Sequence, residues 1–159
     1  MKTQEHAENA ELYNHPLSRK VIGCAIEVHR HLGPGLLEST YEQCLAHELH
    51  LNEVPFQVQV PMPVRYKSVD LDCGYRLDLL VDYFLVVEIK AVESITPVHQ
   101  AQLLTYMKLA EAPLGLILNF NVKLLKDGIR KCAITNFSAL SASSCVNSLH
   151  ESPQNRGER

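Results

Sequence analysis

The sequence predicts an α/β domain, with a mixed central sheet flanked by helices. Three observations carry this reading. Two blocks of helical periodicity, residues 15–32 and 36–51, precede a run of strand-like segments. A third helical block, 97–111, separates strand-like 84–90 from a near-continuous apolar run at 114–120. A helix between two strands is the crossover that parallel neighbours require.

Each element has its own signals. In 15–32, Val21, Ile22, Ala25, Val28 and Leu32 recur at helical spacing. Gly33, Pro34 and Gly35 stop that helix, glycine as cap and proline as a block to continuation. In 36–51 the apolar stripe is Leu37, Tyr41, Leu45 and Leu49. Residues 55–66 show the alternation and prolines of an edge strand, with a break at Pro61, Met62 and Pro63. Segments 71–81 and 84–90 have the strongest strand patterns, with Asp82 and Tyr83 at the reversal. Thr96 is placed to cap the 97–111 helix, and Pro97 suits its first position. The run 114–120 reads as a strand buried on both faces. Lys126, Asp127 and Gly128 form a turn into a last strand, 129–135. Beyond Phe137 the chain turns serine-rich and polar, so 138–159 is expected to be a disordered tail. Residues 1–14 are a polar N-terminal extension, which leaves 15–137 as the folded domain. No internal repeat is visible.

Composition narrows the classes. A chain of 159 residues with 46% hydrophobic content suits one domain with a core of its own. It has no run of about 18 apolar residues, so no membrane partner is expected, and the N-terminus is unlike a signal peptide. Five cysteines without a Cys-x-x-Cys pair read as reduced thiols in a cytoplasmic protein. Net charge is −3, which does not advertise a nucleic-acid binder. The distribution says more: residues 1–54 hold eight acids and four bases, whereas 65–131 hold nine bases and eight acids. With two of those acids neutralised by a metal, the middle of the chain becomes locally basic, as a phosphate-bearing partner would favour.

The chemistry concentrates in the segments 75–81 and 84–90. Tyr75, Leu77, Leu79 and Val81 share one face of the first; Leu85, Val87 and Ile89 share one face of the second. Both sets are apolar and should meet one core. The opposite faces carry Asp78, and Glu88 with Lys90. A regular two-residue loop would put the two acids on opposite faces. A three-residue loop, or a bulge, pairs Val81 with Leu85 and Asp78 with Glu88. The apolar pattern therefore predicts that the acids converge. Adjacent carboxylates repel unless one is protonated or a cation intervenes, and hard oxygen donors suit Mg²⁺ or Mn²⁺. Such a metal activates water and polarises a phosphoryl oxygen. The alternative for these three side chains is a solvated surface ladder of ion pairs.

Asp78 followed by Glu88, Ile89 and Lys90 resembles the D…(E/D)-x-K core of the PD-(D/E)XK nuclease superfamily, without the proline of its name. Gly35-Leu-Leu-Glu38-Ser-Thr-Tyr41, with Glu27, His29 and the 32–35 turn before it, resembles the GxxExxY protein family, a bacterial and archaeal group within that superfamily. The resemblance runs from about residue 15 to about 135. It implies a restriction-endonuclease-like αβββαβ core and a divalent-metal-dependent nuclease.

Site roles follow residue by residue. The resemblance implies metal ligation by Glu38, Asp78, Glu88 and the Ile89 backbone carbonyl, and catalysis by these acids with Lys90. Gln102 and Tyr106 resemble the Q-x-x-x-Y motif of the superfamily's exonuclease branch, and their spacing puts both on one helix face. Gln102 would orient the water or phosphate. Tyr106, Tyr41 and His99 are the candidate substrate contacts, with a buried structural role as the alternative for Tyr41. A metal pair at His29 and His31 is disfavoured, because alternate helix positions diverge. The expected function is phosphodiester hydrolysis in DNA, with RNA as a second substrate and a homodimer left open. The rival from another class is a catalytically silent nucleic-acid-binding or assembly module of the same fold.

Overall fold

The computed structural model describes residues 2–137 and 143–147. The polar extension forms a helix, α1 (Lys2–Tyr13), whose Leu12 and Tyr13 pack on the core. Lys131 Nζ donates to the Tyr13 carbonyl at 2.5 Å and to Ser18 Oγ at 3.4 Å, so a buried ammonium group caps the end of α1. Burial pushes the Lys131 amine down.

The second helix, α2 (Pro16–Leu32), begins as expected: Pro16 takes its first position and His15 Nδ1 accepts from Leu17 N–H at 3.1 Å. It ends at Gly33, whose φ of 65° lies in the left-handed region and whose N–H reaches the His29 carbonyl at 2.8 Å. Next comes α3 (Glu38–Leu51), two residues later than its sequence pattern suggests. Leu37 is its extended N-cap and stands 74% exposed, so the buried stripe is Tyr41, Leu45 and Leu49 without it.

The main sheet has six strands in the order β1 (Phe56–Pro61), β4 (Arg76–Val81), β5 (Leu85–Lys90), β6 (Leu114–Asn119), β7 (Ile129–Ile134) and β8 (Ser143–Asn147). β1, β4 and β5 are antiparallel; α4 (Pro97–Ala110) then crosses over to bring β6 parallel to β5. This is the αβββαβ order and the mixed sheet that the sequence predicts. β1 lies at the edge, as its prolines require. The break at Met62 and Pro63 sets off a separate ribbon, β2 (Val64–Tyr66) with β3 (Val69–Leu71).

Two layers of helix cover the sheet. Leu79, Val81, Leu85, Val87, Ile89, Leu114, Leu116 and Leu118 pack under α2 and α3, whereas Leu80, Val86, Ile117, Cys132 and Ile134 pack under α4. β6 is apolar throughout because both its faces are covered.

Several expectations need correction. Segment 71–81 is not one strand: β3 ends at Leu71, and the chain turns through Gly74 (φ 72°), whose N–H donates to Asp72 Oδ1 at 3.1 Å. Leu77 does not share the core of Leu79; it packs with Leu80 and Val86 on the α4 side, so the face alternation breaks at Asp78. β7 is not the last strand, since β8 pairs with it inside the stretch expected to be a disordered tail. The rest of that stretch, 138–142 and 148–159, lies outside the described residues. Finally, the cysteines are not all free thiols. Cys24, Cys44 and Cys73 are free, but Cys132 is disulfide-bonded.

Candidate active site

The β4–β5 reversal sets the geometry. Asp82 and Tyr83 both have positive φ, 50° and 53°, and Phe84 N–H closes the turn on the Val81 carbonyl at 3.0 Å. One residue then goes unpaired: Val81 pairs with Leu85, Leu80 with Val86 and Leu79 with Val87. The expected odd register is present, and it sets Asp78 opposite Glu88.

At that point the backbone ladder stops and side chains take over. Asp78 Oδ2 accepts from Ile89 N–H at 2.8 Å, and Glu88 Oε1 accepts from Asp78 N–H at 3.4 Å. Each acid thus occupies a backbone donor that regular pairing would satisfy with a carbonyl. The strands part where the carboxylates meet.

The pair is electrostatically loaded. Glu88 is only 5% exposed. Burial first and Asp78 second push its carboxyl up to about 8, against a partial pull downward from the Asp78 N–H and Lys90. Burial also pushes Asp78 up, Ile89 N–H and Lys90 draw it back, and Glu38 adds to the rise. Lys90 is half-buried beside both acids.

The neighbouring loops are braced. Glu38, at the start of α3, accepts from Ala91 N–H at 3.1 Å through Oε1. Asn119, 2% exposed and paired with Lys90 across β5–β6, donates to the Val92 carbonyl at 2.9 Å and accepts from Val92 N–H at 3.1 Å. These bonds fix the chain just after Lys90. On α4, Gln102 Nε2 donates to Tyr106 Oη at 3.0 Å. Tyr106 is nearly buried, and its phenol is pushed up by burial, with smaller upward contributions from Glu88 and Asp78, so this helix faces the acids.

A model described as the PD-(D/E)XK nuclease superfamily matches residues 15–132. The chain belongs to this superfamily. Its six-stranded sheet with helices on both faces is the restriction-endonuclease-like fold, and nuclease activity is the superfamily's general property. Neither the curated proteins nor the solved structures contain a match.

The predicted site residues fare differently in this superfamily frame. Asp78, Glu88 and Lys90 come together, and Gln102 with Tyr106 lines the same side. Glu38 stands at the rim with one oxygen on Ala91 N–H. Among the described residues no three His, Cys, Asp or Glu side chains gather at metal-binding spacing, so the expected three-acid cluster is not assembled in this structure. The donor chemistry still suits a hard dication: two converging carboxylates, one of them buried and raised to about 8, are relieved by a positive charge between them.

Tyr41 has no surface open to a substrate in this structure. It is fully buried, stacked on Phe120 at 4.4 Å between ring centroids, and its Oη donates to the Gly33 carbonyl at 2.6 Å while accepting from Leu36 N–H at 3.1 Å. It holds the turn that delivers Glu38. His99 closes a capping box with Thr96: its Nδ1 accepts from Thr96 N–H at 3.1 Å, which leaves only the other ring nitrogen for a ligand. His29 Nε2 meets the Val122 carbonyl at 2.8 Å and is structural.

Three residues at the site escaped the sequence reading: Glu42, Gln59 and Asn119. The spacing of Glu42, four after Glu38 on one helix, was a usable signal. Gln59 and Asn119 carried none, because their partners are fixed only by tertiary packing.

Proposed function

We propose that this chain is a Mg²⁺- or Mn²⁺-dependent nuclease that hydrolyses phosphodiester bonds in DNA, and that it is a member of the GxxExxY group. The observation that carries the reading is the Asp78–Glu88 pair, brought together where β4 and β5 part, with Glu88 raised to about 8. A buried acid pair of this kind costs stability unless it binds a cation.

Asp78 and Glu88 would hold the ion, aided by the Ile89 carbonyl and, after a small rotation away from Ala91, by Glu38. When bound, the ion supplies an activated water and a polarised phosphoryl oxygen. Lys90 orients the attacking water and offsets charge that builds on the phosphate. Gln102 directs the same water or a phosphate oxygen, with its amide steadied by Tyr106. The water oxygen would bond to phosphorus and release a proton to solvent, the P–O ester bond would break, and the leaving oxygen would take a proton from solvent.

The test compares wild type with Asp78→Ala and Lys90→Ala on single- and double-stranded DNA and on RNA, beside calorimetric titration with Mn²⁺. Asp78→Ala should lose both cleavage and Mn²⁺ binding. Lys90→Ala should keep Mn²⁺ binding and lose cleavage by about 100-fold or more. Equal cleavage by wild type and a variant carrying both Asp78→Ala and Lys90→Ala would mark the activity as a contaminant. DNA binding by the wild type without turnover would instead establish the silent binding module.

A further inference from the structure

We propose that Gln59 is a positioning residue for Asp78, held in its working pose by Glu42. The inference rests on the nuclease reading above and deepens it. Gln59 lies on β1, at the register position facing Asp78 on β4. Its Nε2 donates to Glu42 Oε2 at 2.7 Å and stands 3.5 Å from Asp78 Oδ1. The amide orientation is determined by charge: turned over, it would set Oε1 against two carboxylates. A primary amide has two N–H donors. Glu42 takes the shorter bond, and Asp78 Oδ1 lies within reach of the second N–H.

The backbone supports a special role. Gln59 has φ of 50°, the left-handed region, in the middle of a strand. That conformation is costly for a glutamine and persists only where its surroundings enforce it. The pairing of β1 with β4 registers Val58 with Leu79 and Val60 with Leu77, and skips Gln59 opposite Asp78. The Gln59 carbonyl is taken instead by Arg76 Nη1 at 3.4 Å. Local strain and a broken ladder thus coincide at the residue beside the acid.

The two oxygens of Asp78 are then both assigned. Oδ2 is held by Ile89 N–H from β5, and Oδ1 faces Gln59 from β1. Asp78 is oriented between two strands, with Glu42 on α3 as the anchor behind Gln59. Partners of a metal-binding carboxylate at this remove commonly tune affinity or rate by about 10- to 100-fold.

The test separates positioning from folding. Gln59→Asn keeps the amide but withdraws it by one methylene, and asparagine tolerates positive φ better than glutamine. Its thermal midpoint should match or exceed wild type, while the Kd for Mn²⁺ rises about tenfold or more and the Asp78 side-chain carboxyl carbon resonance of the metal-free protein moves. Glu42→Leu, which removes the acceptor for the Gln59 amide, should follow Gln59→Asn in Mn²⁺ affinity and in the Asp78 resonance. Wild-type Mn²⁺ affinity in Gln59→Asn would overturn the role of Gln59 and leave the nuclease reading standing. A wild type that binds no Mn²⁺ would overturn the nuclease reading instead. The Asp78 resonance then decides the positioning by itself: moved in Gln59→Asn supports it, unmoved overturns it. Should Gln59→Asn fail to fold, Gln59→Gly, which removes the amide and adopts positive φ without steric cost, takes its place with the same readouts.

Discussion

Asp78 and Glu88 exchange backbone for side chain: the Asp78 carboxylate accepts from Ile89 N–H next to Glu88, and the Glu88 carboxylate accepts from the N–H of Asp78 itself. The two acids therefore cannot drift apart without breaking the junction of β4 and β5. Their repulsion is built into the fold.

That repulsion makes metal-free stability depend on pH. Glu88 has a folded value of about 8 against an ordinary 4.5. Between those values the folded protein holds a proton that the unfolded chain releases, so stability falls as pH rises through this window. The stabilisation is fully present below about 4.5 and lost above about 8. Its size is on the order of a few kcal/mol. Urea denaturation in chelator at pH 5.5, 7 and 8.5 should show the fall in wild type and a shallower one in Glu88→Gln, where Asp78 alone is still raised by burial. Saturating Mn²⁺ should offset the fall, because the ion binds the ionised pair. A flat wild-type profile would remove the electrostatic basis of the site.

Tyr41 predicts a stability phenotype rather than a substrate phenotype. Tyr41→Phe keeps the ring on Phe120 but leaves the part-buried Gly33 carbonyl and Leu36 N–H without their shared hydroxyl. Loss of these bonds costs about 0.5–1.5 kcal/mol, a drop of a few degrees in Tm. The KM for DNA should not change, since the hydroxyl has no exposed surface. A raised KM with unchanged Tm would return Tyr41 to the substrate.

What was legible follows from periodicity. Face alternation in 75–81 and 84–90 selects the register, and the register puts Asp78 beside Glu88, so the acid pair is legible in the sequence. The parallel placement of β6 beside β5 was legible from the 97–111 helix between them. The switch of Leu77 to the α4 side was not, because it arises where the strands part, a tertiary event with no local pattern. Gln59 was hidden for a related reason: nothing in the local sequence announces a positive φ at a glutamine. The bond from Gln59 to Glu42 joins β1 to α3 and exists only once the two have packed. The turn at Gly74 had its signal, a glycine after Asp72, but the strand pattern ran through it. Tyr41 showed its burial in the helical stripe, whereas the bonds of its hydroxyl depend on how the 33–37 turn folds back.

Two glycines report on how the site is braced from behind. A Cβ at Gly115 on β6 would meet the Met107 sulfur and Leu103 of α4, both side chains that can shift. A Cβ at Gly128 would meet the backbone carbonyl of Asn119, which cannot yield without moving the end of β6. Asn119 in turn holds Val92, two residues beyond Lys90. Gly115→Ala should therefore cost about 1–3 kcal/mol by overpacking and leave Mn²⁺ affinity unchanged. Gly128→Ala should destabilise more, and should also weaken Mn²⁺-dependent cleavage by displacing the chain after Lys90. Thermal denaturation beside a cleavage assay on the two variants checks both parts. Equal loss of stability with unchanged cleavage in Gly128→Ala would show that Asn119 does not transmit strain to Lys90.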